Sequence, residues 1–448
     1  MPGDLVGEVT ELLQQLIRNA CVNDGTAESG QEQRSAEVLS SYLDGTGLDI
    51  ESYQPRPGRT SLVARIEGRD PAAPTVCLMG HTDVVPVSPE LWTRDPFGGE
   101  LVDGEVWGRG AIDMLNLTAS MAVATRHLAE EGFRPEGTLV YLAVADEESG
   151  GHHGAGWLAD HAWDAIGADY VLTESGGIMT PTPTGPKITV TVAEKGVAWR
   201  RLRVHGTPGH GSQPFGSDNA IVKAAEVVRR LADFRPRAQI GEVWRTFVEN
   251  SVADPELRAA LVDPARVADA CATGDPRAAR YWHACTHTTF SPNVVRGGVK
   301  TNIIPDTVEL DVDIRTLPGQ TAQDVERYLG EALGNLAGQV DVSSLQDVLS
   351  SASPPDTALW SVLEHQCRAA YPGAKLLPRI TAGGTDAGYF RRRGTVAYGC
   401  GLMSPGVTYE NYASRFHGND ERVDVESLRL TTDLWLGVAR EFLGQSAP

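Results

Sequence analysis

Apolar residues return at helical spacing over Val6–Ile17, at Val6, Val9, Leu12, Leu13 and Leu16, which predicts an amphipathic helix. Ser35–Leu43 predicts a second, broken by Asp44-Gly45-Thr46-Gly47. Beyond it the period changes. SLVARIEG reads as a strand, and TVCLMGHTDVVPV, TLVYLAVADEE and DYVLTES are near-continuous apolar runs. Such runs mark strands buried on both faces. Between them Leu117–Glu131 has a helical pattern, and Gly132 is suited to end it. Buried strands alternating with helices predict an α/β fold: a mixed, mostly parallel sheet sandwiched by helices.

After about Lys187 the pattern alternates. ITVTVAEKGVAWRRLRVHG reads as an exposed or half-exposed antiparallel strand, TVELDVDIRTL as a clean alternating strand and QVDVSSLQDV as a further strand. Helices are predicted at Asn219–Phe234 and Ala322–Ala337, and an alanine-rich, charged helical stretch at Ala253–Cys285. These elements predict a smaller α+β domain with a helical insertion at about 235–287. From Asp356 the α/β texture resumes, with helices near Leu359–Tyr371 and at the C-terminus, ending near Leu443. The expected organisation is a catalytic domain in two parts, residues 1–190 and 351–448, interrupted by a lid or dimerisation domain at 191–350.

Composition narrows the function. At 448 residues, two or three domains are expected at roughly 100–200 residues each. A hydrophobic fraction of 41% fits a globular chain and argues against wholesale disorder. The net charge of −20 argues against general attraction to nucleic acid or anionic lipid. No apolar run reaches the ~18 residues of a membrane span. The start, MPGDLVGEVTELLQQLI, lacks the basic and apolar regions of an export signal. The six cysteines form no C-x-x-C pair and suit a reducing compartment, so a cytoplasmic address is expected.

The candidate chemistry sits where apolar strands end, the place where open α/β sheets bind ligands. His81 and Asp83 follow VCLMG, Glu147 and Glu148 follow LVYLAVAD, and Glu174 follows YVLT. Asp113 lies in GRGAIDM and His417 in RFHGNDE. Carboxylate oxygens and imidazole nitrogens are ligands for divalent metals. A single histidine or acid after a strand is more often a structural group or a solvated turn; their shared placement is the signal. Asp83, two residues after His81, is placed to fix that imidazole. The pair His152-His153, in the loop after Gly150-Gly151, is a weaker metal candidate. Motifs for a serine hydrolase elbow, a P-loop, a dinucleotide fold and H-E-x-x-H are all absent.

In order, GHTDVVP, GRGAIDM, DEESGG, HGTPGHGSQP, TNIIPD, DIRTLP, GGTDAG and HGNDE span Gly80–Glu421. Taken together they resemble the co-catalytic zinc hydrolases that include aminoacylase, acetylornithine deacetylase, succinyl-diaminopimelate desuccinylase and glutamate carboxypeptidase. The resemblance implies two divalent metal ions, zinc first, with cobalt or manganese as alternatives. It implies Asp113 as the bridging ligand, His81 and Glu174 completing one site and Glu148 and His417 the other. It implies Glu147 as general base to a metal-bridging water and Asp83 as the group orienting His81. In the lid it implies His210 as a catalytic group, in many relatives reaching the partner subunit's site, with Asn302 beside it. Arg315 and Gly383-Gly384-Thr385 would hold the substrate's carboxylate. The implied substrate is small: an N-acyl amino acid, a dipeptide or a C-terminal residue, cleaved by a homodimer.

Two features depart from the pattern. Relatives commonly carry Asp-Met-Lys-Gly where this chain has Asp113-Met114-Leu115-Asn116, and the insertion near 235–287 bears on whether the family dimer forms. Two rival readings use the same scaffold: a hydrolase of amidines or ureides, and a non-catalytic binding protein. Every ligand and the base being present weighs against the second.

Overall fold

A computed structural model of the chain describes residues 4–444. The chain forms two compact units. The first holds the chain through Val192, Ser353–Arg379 and everything described from Thr385; the second holds Ala193–Ala352 with Ile380–Gly384.

The first unit is built on a mixed sheet. Its strands run in the order Asp49–Arg56, Arg59–Ile66, Leu139–Val144, Val76–His81, Tyr170–Thr173, Val396–Gly399 and Gly185–Glu194. The four from Leu139–Val144 to Val396–Gly399 are parallel. The flanking strands are antiparallel to them. Val76–His81 and Leu139–Val144 are buried at every residue, as their unbroken apolar runs predict. Alternate residues serve opposite layers. Cys77 and Met79 pack with Leu158, Ile166 and Phe390 on one side. Gly80 faces the other side, where a side chain would run into Thr118 of the helix Leu115–Glu130. That helix packs with Leu5–Arg18 and Val425–Leu443. The closeness at Gly80 lets Thr118 Oγ1 donate to the carbonyl oxygen of His81 at 2.7 Å, which pins the strand end that carries the first candidate ligand.

One strand differs from its expected setting. The alternating stretch from Ile188 reads as an exposed or half-exposed strand. Yet Gly185–Glu194 lies in the large sheet, and Lys187, Thr189 and Thr191 are all buried. Polar residues that alternate like a solvent face are here covered; Thr191 Oγ1, for one, donates to the Ser175 carbonyl oxygen.

The second unit has a four-stranded antiparallel sheet in the order Thr289–Gly297, Thr307–Thr316, Gly196–His205 and Val340–Val348. The helices Ala220–Asp233 and Ala322–Leu333 cover one face through Leu202, Val227, Leu310, Val312 and Leu329. The insertion forms helices Glu242–Ser251, Pro255–Leu261, Val267–Thr273 and Pro276–Thr286. Asp254-Pro255 and Asp275-Pro276 start two of them, the aspartate accepting from backbone N–H groups and proline filling the first turn. Trp244 is buried among these helices and donates from Nε1 to the Leu261 carbonyl oxygen at 2.9 Å.

Candidate active site

Strand ends and the loops that follow them bring His81, Asp113, Glu147, Glu148, Glu174 and His417 together in the first unit. His81 Nε2 lies 3.2 Å from Asp113 Oδ1, and His417 Nε2 lies 2.8 Å from Asp113 Oδ2. Asp113 therefore stands between the two imidazoles, one oxygen to each. His417 Nε2 is 3.5 Å from Glu148 Oε2, and His81 Nε2 is 4.0 Å from Glu147 Oε2. Three sets of ligand atoms fall within 4.8 Å of one another: His81, Asp113 and Glu174; Asp113, Glu148 and His417; and His81, Glu147 and Glu148. The first two bring together the residues that the resemblance implies for each of two metal positions. The third places Glu147 close enough to ligate.

The electrostatics is that of a cation site. Burial, and then the neighbouring Glu174, push the Glu147 carboxyl well above the usual range. Glu174 is raised by burial and by Asp113, and Glu148 to about 7 by the same two causes. Asp113 moves the other way: burial raises it, but hydrogen bonds from His417 and His81 outweigh this and hold it low. Asp113 and Glu148 in turn raise His417 to about 10. No lysine or arginine pairs with these acids among the described residues, and Glu148 Oε1 is buried without a hydrogen-bond partner. Packed carboxylates with an orphaned oxygen fit divalent cations, which supply the missing positive charge.

The supporting hydrogen bonds are specific. His81 Nδ1 meets the backbone carbonyl oxygen of Asp83 at 2.9 Å, while the Asp83 carboxylate is 3.6 Å away. That carboxylate accepts instead from the backbone N–H groups of Glu147 and Glu148 at 3.2 and 3.1 Å. Asp83 thus supports His81 through its backbone and the Glu147-Glu148 peptide through its side chain. Three non-glycine residues at the site take left-handed backbone angles: Asp146 (φ 71°), Ser175 (φ 75°) and His417 (φ 55°). Such positions cost about 1–3 kcal/mol each and persist where surrounding bonds determine them.

Glu421 and Arg109 belong to the site although sequence reasoning gave them no role. Glu421 is fully buried and accepts from the backbone N–H of Ile112 and Asp113 at 2.7 and 3.0 Å and from Arg109 at 2.6 Å. Arg109 also donates to the His417 carbonyl oxygen at 3.4 Å. The signal was present, since both residues lie inside the quoted motifs GRGAIDM and HGNDE, but only the fold joins them. Leu115 and Asn116, the departure after Met114, are buried at the start of their helix. His152 and His153 join no ligand set among the described residues; His153 Nε2 lies 3.3 Å from Arg56 Nη1.

The remaining candidates lie in the second unit, apart from Thr385. His210 is exposed, on the short strand Gly209–His210 that pairs with Ile303–Ile304. The backbone N–H of Ser212 points at its Nδ1 at 3.2 Å. Nδ1 is therefore the acceptor and Nε2 carries the proton in the neutral ring. Asn302 is its neighbour, and its backbone carbonyl oxygen accepts from Gly211 N at 2.8 Å. Arg315 is not free: its fork grips Asp313 at 2.7 and 3.2 Å. Gly383 and Gly384 are exposed, and Thr385 Oγ1 accepts from Ala387 N at 3.2 Å in the first unit.

The fold and the acidic site together define a metal-dependent hydrolase of amide or peptide bonds. The chain belongs to peptidase family M20/M25/M40, whose model matches residues 77–441. It is 26% identical over 393 residues to N-fatty-acyl-amino acid synthase/hydrolase PM20D1 of Xenopus tropicalis, covering 85% of this chain and 74% of that protein. It is 26% identical over 397 residues to aminoacylase-1 of Mus musculus, covering 88% and 86%. The M20 metallo-carboxypeptidase Sso-CP2 of Sulfolobus solfataricus shares the fold, with a TM-score of 0.73 at 17% identity over 98% of this chain and 99% of that one. No described helix is long and apolar enough to cross a membrane.

Proposed function

We propose that this protein hydrolyses N-acyl amino acids, cleaving the amide bond beside a free carboxylate with two divalent metal ions, zinc first. The observation that carries the reading is Asp113, whose two oxygens face two separate imidazoles, each in a three-residue set that shares Asp113. His81, Asp113 and Glu174 would hold one ion, and Asp113, Glu148 and His417 the other. When bound, such ions supply Lewis acidity and lower the pKa of a water to about 7 in the best-known zinc case.

The chain's own residues supply the rest. Glu147 takes a proton from the attacking water and delivers it to the amine nitrogen as the C–N bond breaks. His210 donates from Nε2 to the carbonyl oxygen as charge gathers there. Asn302, Arg315 and Gly383-Gly384-Thr385 bind the carboxylate end, Arg315 by exchanging Asp313 for the substrate. The relatives named for acyl-amino acid hydrolysis support this bond over a peptide. A homodimer through the second unit completes the reading, with His210 serving the partner's site; the exposure of His210 supports it. A cytoplasmic address is included, supported by six free cysteines.

The test is hydrolysis of N-acetyl, N-succinyl and long-chain N-acyl amino acids and of dipeptides, before and after chelation and zinc addition. Activity that is lost on chelation and returns at about two metals per chain, with an acyl amino acid preferred, is the expected result. A dipeptide preferred over every acyl amino acid would overturn the substrate, and ammonia release in place of amino acid would move the reaction to an amidine or ureide.

A further inference from the structure

Behind the acidic cluster lies a second layer of buried polar side chains that no step above uses. Its centre is Asn23, 3% exposed, in the loop after the helix Leu5–Arg18. Asn23 Nδ2 donates to Asp83 Oδ2 at 2.8 Å and to Asp146 Oδ1 at 3.3 Å. Asn23 Oδ1 accepts from Arg59 Nη2 at 3.0 Å and from Ser149 Oγ at 2.8 Å. These partners fix the amide's orientation, since the reversed amide would set its oxygen against two carboxylates and its NH2 against a guanidinium. Arg59 is anchored in turn by Glu32 at 2.5 Å and lies 3.5 Å from Asp146 Oδ1. Glu32 Oε1 also accepts from the backbone N–H of Asp146 at 3.2 Å.

We infer that Asn23 is a positioning residue that acts through Asp83: with Arg59 and Glu32 behind it, it sets the peptide that carries Glu147 and Glu148. The inference rests on the di-metal reading. Asp83 has only two oxygens, and they meet three donors: Asn23 Nδ2 and the backbone N–H groups of Glu147 and Glu148. Asn23 is the one side chain of the three, so it fixes where the carboxylate sits before the backbone closes on it. The residue just before Glu147, Asp146, is in the left-handed region at φ 71°. Arg59, Asn23 and Glu32 all reach Asp146, and Gly151 N donates to its carbonyl oxygen at 2.7 Å, so the strained turn is held on several sides. The consequence is selective. The ligand on that turn is Glu148, of the Asp113–Glu148–His417 set. Neither His81 nor Glu174 is on it.

A purely structural role predicts something else. Asn23 N also donates to the Val84 carbonyl oxygen at 2.9 Å, so the segment is fastened by its backbone as well. A residue that only fastened the segment would affect both metal positions alike.

The experiment is a Co2+ titration of the metal-free full chain, followed by visible absorption, for the parent, Asn23→Ala, Asp83→Asn and the double variant. Ser149→Ala, which removes a contact to Asn23 but not the link to Asp83, is the control. For Asn23→Ala, one Co2+ should bind as in the parent and the other about 10–100-fold more weakly, the usual cost of losing a group behind a ligand. kcat should fall by a similar factor with KM within about twofold. The double variant should be no worse than Asp83→Asn, because Asn23 acts through that carboxylate. Equal weakening of both steps, or losses that multiply in the double variant, would overturn the inference. So would a parent-like titration for Asn23→Ala. A parent chain that binds no metal would overturn the di-metal reading itself, and this inference with it. Should Asn23→Ala fail to fold, Asn23→Ser keeps a small neutral hydroxyl in the pocket but is too short to span Arg59 and Asp83 at once, and the same outcomes apply.

Discussion

The acids of the first unit and the candidate substrate groups of the second differ in how closely the surrounding chain determines them. Asp113 and Glu174 are buried, the Glu148 side chain is nearly so, and the backbone N–H groups of Asp113 and Glu148 are held by Glu421 and Asp83. His210, Asn302, Gly383 and Gly384 are exposed on short strands and loops, and Arg315 is engaged with its own neighbour. The comparison teaches where each kind of job is done. Packing carboxylates together is unfavourable without a cation, so a metal centre needs a rigid, over-determined frame. Binding a substrate needs groups that can meet it, and these are left accessible.

The most severe way to break the comparison is to remove the one acid that the reading treats as a base. Glu147→Gln keeps the shape and loses the proton acceptor. kcat should fall by about 10²–10⁴ while two metals still bind, measured by turnover and metal content on one sample. Loss of a metal instead would make Glu147 a ligand, as its place in the third ligand set allows.

Next comes the exposed side. His210→Ala should lower kcat by about 10²–10³, the usual cost of one donor to a developing oxyanion, and leave metal content and melting temperature unchanged. An effect confined to KM would remove His210 from the chemical step. If His210 serves the partner's site, mixing His210→Ala with Glu147→Gln should restore part of the activity, since each mixed dimer then holds one intact site.

A smaller effect sharpens the electrostatic half. In metal-free protein, His417 is raised to about 10 by Asp113 and Glu148, and Glu148 to about 7 by burial and Asp113. Both bind protons more tightly folded than unfolded. The histidine's contribution is complete below about 6.5 and lost as pH rises through about 10. The burial of Glu148 costs nothing while it is protonated and costs most once pH passes 7. The melting temperature of chelated protein should therefore fall from pH 5.5 to pH 8.5. Metal-loaded protein should not follow it, because cations need the same groups deprotonated. Parallel curves for the two forms would mean that this cluster is not what the metal neutralises.

The residues that gather at the site were more legible in sequence than those that support them. His81, Glu147 and Glu174 follow apolar runs that can only be buried strands, and a strand end is a fixed point in an α/β sheet. Glu421 holds Asp113 from 308 residues away, and Asn23 reaches Asp83 across 60. No local pattern marks a hydrogen bond of that span, so an acid in HGNDE and an asparagine in a turn-like NDG look alike. The fold shows the same limit. Gly185–Glu194 alternates like an exposed strand because Lys187, Thr189 and Thr191 are polar, and only the tertiary structure covers them. Asp49–Arg56, an edge strand with half its residues exposed or nearly so, has no apolar run to announce it.

The smallest expected effect concerns Arg315, where the two halves of the comparison meet in one side chain. Its fork is already held in two-point fashion by Asp313, and both side chains are about a quarter exposed. A substrate carboxylate must displace that partner or share it. An ion pair this accessible is worth at most about 1 kcal/mol, roughly fivefold in an equilibrium constant. Asp313→Asn should then lower KM for an acyl amino acid by no more than about fivefold, with kcat unchanged. Arg315→Ala should raise KM, and the double variant should behave like Arg315→Ala alone. The carboxyl-amidated substrate is the control, since it has no charge to exchange and should be indifferent to Asp313→Asn. A KM that rises in Asp313→Asn would mean that the aspartate aims the fork and does not compete for it. Arg315 would then be as pre-set as the acids of the first unit, and the contrast between the two units would narrow at that residue.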